Sequence, residues 1–183
     1  MIDHRFESTL PTDVRDAIAR DLQATLVHLI DLALQAKQMH WTVVGPTFRS
    51  LHLHLDEITA SCREYADDVA ERCAALGVPP DGTAARIVRQ SDVPTGTHWF
   101  VQDSDCAQFM VDRLHFVVAA MRDVLDRIED KDIVSHDLLI GIARGLEKHA
   151  WMLQASTITR AIPEKATALE ADDVKRAHEA RRS

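Results

Sequence analysis

The chain has few of the residues that interrupt helices or cross-link loops. Its 183 residues include only six glycines and six prolines, which permits long uninterrupted helices over most of the length. Cys62, Cys73 and Cys106 lack the close spacing of a zinc site and leave one thiol unpaired, so no disulfide framework is implied. These cysteines are expected to be buried thiols in a reducing compartment.

Long apolar segments are also absent. The amino terminus has no apolar core of a signal peptide, and no run of eighteen apolar residues occurs. The sequence therefore predicts a soluble, cytoplasmic protein with no membrane partner. Its formal charge of −8 makes the body of the protein a poor partner for nucleic acid but favours the accumulation of cations at its surface.

Apolar residues recur every three or four positions in four long segments, which predicts four amphipathic helices. The first spans about residues 12–44, ending at Gly45, and the second about 46–76, with Pro46 at its first position and Phe48 in its apolar stripe. Asp103 or Ser104 is expected to cap the third helix, and Asp132 or Ser135 the fourth.

The connection between the second and third helices, residues 78–99, is broken by Pro and Gly and is too long for a tight hairpin. It is expected to cross the molecule and to carry a short helix at about 83–90. No strand-type alternation is present. The sequence therefore predicts an all-α, ferritin-like four-helix bundle over residues 12–160, with a tail at 1–11 and a charged tail at 161–183.

Two glycines lie four residues apart inside the fourth predicted helix. Gly141 and Gly145 should each disfavour the helix by about 1 kcal/mol relative to Ala. A close approach of another helix or subunit is the expected reason for their presence.

Polar residues on the second predicted helix form one face beside its apolar stripe. His52, Asp56, Asp67 and Glu71 fall at about 0°, 40°, 60° and 100° around the helix axis. His54 points roughly the opposite way and is excluded from this face. His40 lies near the end of the first helix, so it is a further candidate ligand.

The spacing of this polar face is symmetric. His52 and Glu71 are roughly 28 Å apart along the axis, too far to bind one metal ion together. The midpoint of His52 and Glu71, between Ser61 and Cys62, is also the midpoint of Asp56 and Asp67. If two antiparallel copies of the helix pack about a two-fold axis, His52 and Asp56 of one copy therefore lie at the same height as Glu71 and Asp67 of the other. An isologous interface requires this kind of self-complementarity.

The two imidazoles and three carboxylates suit Fe(II), Mn(II) or Zn(II) better than Mg or Ca, which prefer oxygen ligands. Ala60 and Arg63 lie on the same face between the ligand pairs. The small Ala60 would let two helices approach, and Arg63 would offset carboxylate charge. A merely solvated helix face is the alternative that the residues alone leave open.

The run from Lys37 to Gly77 resembles the signature of the Dps family, the DNA-binding proteins from starved cells. The matching positions are His40, Trp41, Val43, Gly45, Phe48, His52, Asp56, Asp67 and Glu71. DIVSHDLL and LEKHAW in the fourth helix also resemble family segments, so the resemblance covers about residues 12–157.

This resemblance implies a twelve-subunit shell with ferroxidase centres shared between two chains. His40, His52, Asp56, Asp67 and Glu71 would be the catalytic metal ligands, and the shell would store ferric mineral and protect DNA from oxidative damage. Hydrogen peroxide is the oxidant that family members typically prefer. A maxi-ferritin centre within one chain is disfavoured, because no Glu precedes any His by three residues.

Several further residues have accessory roles implied by the resemblance, each with a simpler alternative. Trp41 and Trp151 would lie near the iron and absorb stray oxidising equivalents, or would only pack. Lys37 is expected to pair with a site carboxylate, or is a solvated lysine. Some of Asp123, Asp126, Asp130 and Asp137 would line an iron entry pore, or the four only form a solvated helix end.

DNA binding is the point at which the sequence departs from some family members. The first eleven residues contain Arg5 as their only Lys or Arg, so a basic amino-terminal arm is missing. The last residues carry Lys175, Arg176, Arg181 and Arg182, a candidate DNA-binding tip repeated on every subunit, or a solubilising tail. Two other functions therefore stay open: a nucleoid-associated architectural particle with secondary iron chemistry, and a divalent-metal buffer without oxidation.

Overall fold

The computed structural model of the chain describes residues 7–96 and 99–158. Within these residues the chain forms five helices and two very short strands. In chain order they are α1 (Thr12–Thr42), β1 (Val43–Val44), α2 (Phe48–Ala75), α3 (Ala84–Gln90), β2 (Val101–Gln102), α4 (Asp103–Ile128) and α5 (Ile133–Thr157). The predicted all-α bundle, with a crossover that carries a short helix, is confirmed.

The four long helices pack as two hairpins, α1 with α2 and α4 with α5, and the hairpins are joined through α1–α4 and α2–α5 contacts. Leucines and isoleucines from all four helices fill one continuous core. Its fully buried members include Leu22, Leu29, Leu55, Ile58, Leu114 and Leu139. Burial of each such side chain contributes roughly 1.5–3 kcal/mol, so the apolar stripes determine how the helices face one another.

The connection between α1 and α2 differs from the prediction at its start. The helix α2 begins at Phe48 rather than at Pro46, and the two residues before it form a turn. The carboxylate of Asp103 accepts hydrogen bonds from the backbone N–H and the hydroxyl of Thr47, at 2.7 and 2.5 Å. Gly45 has φ +135°, and a Cβ there would lie 2.6 Å from the Asp103 carboxyl carbon, so this approach requires glycine.

The predicted cap of α4 is wrong, and the Asp103 carboxylate is hydrogen-bonded to Thr47 instead. Asp103 is the first residue of α4 rather than its cap, and Gln102 before it makes no side-chain cap hydrogen bond. Beside α4, β1 and β2 pair in parallel, Val43 opposite Val101 and Val44 opposite Gln102. A pairing of two residues leaves no detectable alternation in a sequence, which is why it was not predicted.

The start of α5 agrees with the prediction. Asp132 is the N-cap, and its Oδ2 accepts from the Ser135 backbone N–H at 3.2 Å and from Arg72 Nη2 at 2.7 Å. Burial alone would raise the pKa of Asp132, but the hydrogen bonds from Ser135 and Arg72 outweigh it and hold the pKa below its usual value. This carboxylate therefore ties α5 to α2.

The two glycines of α5 have different surroundings. A Cβ at Gly145 would lie 2.1 Å from Tyr65 Oη, so α2 and α5 approach closely there, as predicted. A Cβ at Gly141 would meet nothing within 4 Å in this chain, so the predicted close approach does not occur there within the subunit.

The three cysteines are buried free thiols, as expected. Desolvation raises the pKa of Cys62 and Cys106 to about 12 and that of Cys73 to about 11. No helix in the described ranges 7–96 and 99–158 is long and apolar enough to cross a membrane. Much of the predicted amino-terminal tail and the whole carboxyl-terminal tail, with Lys175, Arg176, Arg181 and Arg182, lie outside the described residues.

Candidate metal centre

Two histidines from different helices form a joined pair. His40 lies in the last turn of α1 and His52 in the second turn of α2, and their rings stack with centroids 3.6 Å apart. His40 Nδ1 hydrogen-bonds to the His52 backbone carbonyl oxygen, and His52 Nδ1 to that of His40, both at 2.8 Å. The turn at Gly45 makes this reciprocal pairing possible because it brings the end of α1 beside the start of α2.

These hydrogen bonds determine which ring nitrogen is free. A carbonyl oxygen can only accept, so each Nδ1 carries the proton and donates it. In the neutral rings each Nε2 therefore has an available lone pair. A backbone carbonyl that holds Nδ1–H is the usual support of a metal-binding histidine.

Asp56 lies one turn after His52 on α2 and next to the paired rings. His40 Nδ1 is 3.4 Å from Asp56 Oδ1, and the Lys37 ammonium donates a short hydrogen bond to the same oxygen. This Lys37 hydrogen bond is the main reason that the pKa of Asp56 lies below its usual value. His40, His52 and Asp56 are thus a cluster with a charged carboxylate.

Asp67 and Glu71 are not part of this cluster within one chain. Both are exposed on the second half of α2, three to four turns from Asp56. In the described part of the chain, no three His, Cys, Asp or Glu side chains are already arranged around a common point as a metal site. The meeting of the two ligand pairs across a two-fold axis therefore stays a prediction.

The surface between the two ligand pairs is open in the subunit. Ala60 and Arg63 are both exposed there. Trp41 and Trp151 are 64% and 65% exposed, so neither is a packing residue within the chain. Phe48, predicted in the apolar stripe, is 44% exposed, and its ring lies 4.9 Å from that of His52 instead of in the core.

The predicted pore aspartates are solvent-exposed. Asp123 and Asp126 lie in the last two turns of α4, Asp130 just after its end, and Asp137 in the second turn of α5. Their placement in a pore is a property of an assembly, so it stays a prediction.

The structure shows a second histidine pair that was not predicted. His54 Nε2 and His149 Nδ1 lie 3.1 Å apart, across the contact between α2 and α5. His149 Nε2 is 3.1 Å from the hydroxyl of Ser61. Burial lowers the pKa of both imidazoles, and for His149 the neighbouring His54 lowers it further. His54 and Ser61 are seven residues apart and share a helix face, but no pattern within α2 identifies His149 as their partner.

The chain is similar to known proteins over most of its length. Residues 19–160 match the family model described as a ferritin-like domain. The DNA protection during starvation protein of Mycolicibacterium smegmatis is 38% identical over 142 residues, covering 75% of this chain and 75% of that protein. A tetragonal crystal form of Mycobacterium smegmatis Dps superimposes with a TM-score of 0.79 at 33% identity, covering 82% of this chain and 92% of that one.

A second solved structure is also similar. Dps from Microbacterium arborescens in the high iron form superimposes with a TM-score of 0.75 at 31% identity. The match covers 82% of this chain and 98% of that one. The similarity therefore extends over the whole bundle and not only over the paired histidines.

Proposed function

Because the chain belongs to the Dps family of ferritin-like proteins, we propose that it oxidises Fe(II) and stores the ferric product inside a homo-oligomeric shell. The site would be shared between two chains: His40, His52 and Asp56 from one, Asp67 and Glu71 from the other. Iron is the substrate and cargo in this function, and the shell would hold twelve subunits.

The observation that carries the proposal is the reciprocal hydrogen bonding of His40 and His52. It places the proton of each neutral ring on Nδ1 and leaves the lone pair of each Nε2 available to coordinate a metal ion. Imidazole and carboxylate together suit Fe(II), Mn(II) and Zn(II), whereas Mg and Ca prefer oxygen alone.

The residues around Asp56 indicate how the site accepts a cation. The Lys37 ammonium holds the Asp56 carboxylate in the charged form when no metal ion is bound. An arriving Fe(II) would replace this ammonium at the carboxylate, so the negative charge is never left unpaired. Asp67 and Glu71 are exposed, free to meet an ion held on a partner chain.

The reaction needs an oxidant, and hydrogen peroxide is the oxidant proposed. Each peroxide takes one electron from each of two Fe(II) ions, its O–O bond breaks, and both oxygens leave as water after proton uptake. Hydrolysis of the ferric ions then releases protons as the mineral forms. Two-electron reduction produces no hydroxyl radical, which is how such a protein would protect DNA.

Iron oxidation can be tested on the assembled protein. Fe(II) is loaded without oxygen, peroxide or dioxygen is added, and the ferric absorbance is followed in time. A fast phase that saturates at a fixed number of Fe(II) ions per subunit is expected, followed by slower mineral growth. Oxidation no faster than that of free Fe(II) in buffer would contradict the proposal.

Binding to DNA is the second candidate function, because the relative in Mycolicibacterium smegmatis is a DNA protection during starvation protein. The tip with Lys175, Arg176, Arg181 and Arg182 is the basic segment available for phosphate contacts. Removal of residues 170–183 should abolish any gel shift, and the intact protein should show a steep loss of affinity with salt. A gel shift that survives the truncation would exclude the tail as the binding element. A cytoplasmic, nucleoid-associated location is proposed on the same grounds.

A further inference from the structure

His54 and His149 form a cluster separate from the proposed iron site. They belong to different helices, α2 and α5, and their nearest nitrogens are 3.1 Å apart. Both rings are half-buried, so they are held by packing and are still reached by solvent. His54 lies on the side of α2 away from His52, so its ring does not take part in the His40–His52 pair.

The distance between the two nitrogens matches that of two ligands on one ion. With metal–nitrogen bonds of about 2.0–2.1 Å and tetrahedral angles, two coordinating nitrogens lie about 3.3 Å apart. The observed separation needs to grow by only a few tenths of an ångström. An ion could therefore replace the hydrogen bond between the rings once each ring turns its nitrogen lone pair towards the ion.

The outer nitrogen of His149 already has the support that a metal ligand needs. Its Nε2 lies 3.1 Å from Ser61 Oγ, and an N–H donated there would leave the Nδ1 lone pair directed at His54. A carboxylate is also near. Glu57 lies one turn after His54 on α2, is exposed, and its charge acts on both rings.

We propose that His54 Nε2 and His149 Nδ1 bind a divalent transition metal ion of the Zn(II) class, with Glu57 or water completing a tetrahedral shell. His54 would shift its remaining proton to Nδ1 when the ion binds. Glu57 would have to rotate its side chain to reach the ion. The ion would join α2 to α5 within one subunit, so this site does not depend on a partner chain.

Zinc binding tests this site on the assembled, chelator-treated protein. Equilibrium dialysis with Zn(II) and elemental analysis would count tightly bound ions per chain. His149→Ala should bind one ion fewer per chain than the wild type, while His115→Ala, which removes an exposed histidine of α4, should bind the same number. An unchanged count and affinity in His149→Ala would overturn the proposal.

A second comparison separates this site from the proposed iron site. In a His40→Ala/His52→Ala background, the ion that depends on His149 should remain and should disappear when His149→Ala is added. This expected result does not depend on whether His40 and His52 bind iron. The zinc site at His149 and the proposed iron site can therefore be disproved separately. Loss of this ion from the background alone would overturn the proposal of a separate site.

Two further measurements cover the case in which His149→Ala fails to assemble. Ser61→Ala keeps both proposed ligands and should weaken Zn(II) binding by about tenfold, because the orienting contact is lost. Co(II) in place of Zn(II) should give the strong visible absorption of a tetrahedral ion, and His54→Ala should remove that component. Wild-type Zn(II) affinity in Ser61→Ala, or a Co(II) spectrum insensitive to His54→Ala, would contradict the site.

Discussion

His40 and His52 lie on consecutive helices, and each imidazole hydrogen-bonds to the other residue's backbone carbonyl at 2.8 Å. The two rings also stack with centroids 3.6 Å apart, so removing either ring takes away the packing surface of the other, although the backbone carbonyl still accepts from the remaining Nδ1. The two side chains therefore act as one unit, and the loss of either should disturb both proposed ligands.

Single replacements of the paired histidines should slow Fe(II) oxidation. His40→Ala and His52→Ala are each expected to reduce the initial rate at least tenfold, because one proposed metal ligand is lost together with the ring that stacks on the other ligand. Stopped-flow absorbance of the ferric product measures the rate. His115→Ala serves as the control and should keep the wild-type rate. Fe(II) oxidation at the wild-type rate in His52→Ala would show that the histidine pair is not needed for the reaction.

Complementation between two inactive variants should show that the site is shared. His52→Ala and Glu71→Ala each damage both sites of a homodimer, whereas a mixed dimer has one intact site and one doubly damaged site. Shells reassembled from equal amounts should recover about a quarter of the wild-type activity if pairing is random. The measurement is oxidation rate in shells shown by mass spectrometry to be mixed. Activity that stays at the level of the parents would refute a site shared in this way.

The two glycines of α5 should respond oppositely to alanine. Gly145→Ala places a methyl group against the Tyr65 ring and should cost about 1–3 kcal/mol from overpacking, reduced by the better helix propensity of Ala. Gly141→Ala meets open space and should stabilise the helix by up to about 1 kcal/mol. The melting temperatures of the two variants and the wild type, measured at one protein concentration, test this prediction. A loss of stability in Gly141→Ala would indicate that another subunit approaches there.

The Asp132 cap should make stability depend on pH in the acid range. Its folded-state pKa is lowered, so its charged form stabilises the fold above the unfolded-state value of about 3.9, and this contribution is lost as pH falls through the folded-state pKa. Asp132→Asn should lower the melting temperature near neutral pH. The difference in melting temperature between this variant and the wild type should become smaller in acid. Asp130→Asn, at an exposed position in the same turn, is the matched control. If the difference in melting temperature stays constant down to pH 2, the charge of Asp132 is not the cause of the stabilisation.

The helices and the candidate ligands could be predicted from the sequence because both depend on the spacing of residues within a single helix. Apolar residues three or four apart specify which face of a helix is buried, and Asp132 precedes the first turn of α5 as a cap should. His52 and Asp56 share a helix face by the same rule. Pro46 was a misleading signal, since the start of α2 depends on Asp103, which is 56 residues away from Thr47.

Only the tertiary structure decided which side chains from different helices meet. Helix periodicity determines the direction of a side chain around its own axis, but not the height or rotation of the helix packed against it. The hydrogen bonds of His40 with His52, the ion pair of Lys37 with Asp56 and the contact of His54 with His149 all depend on that second helix. The sequence by itself therefore determined the helices and the chemistry available on each, and packing of the core determined which of those groups act together.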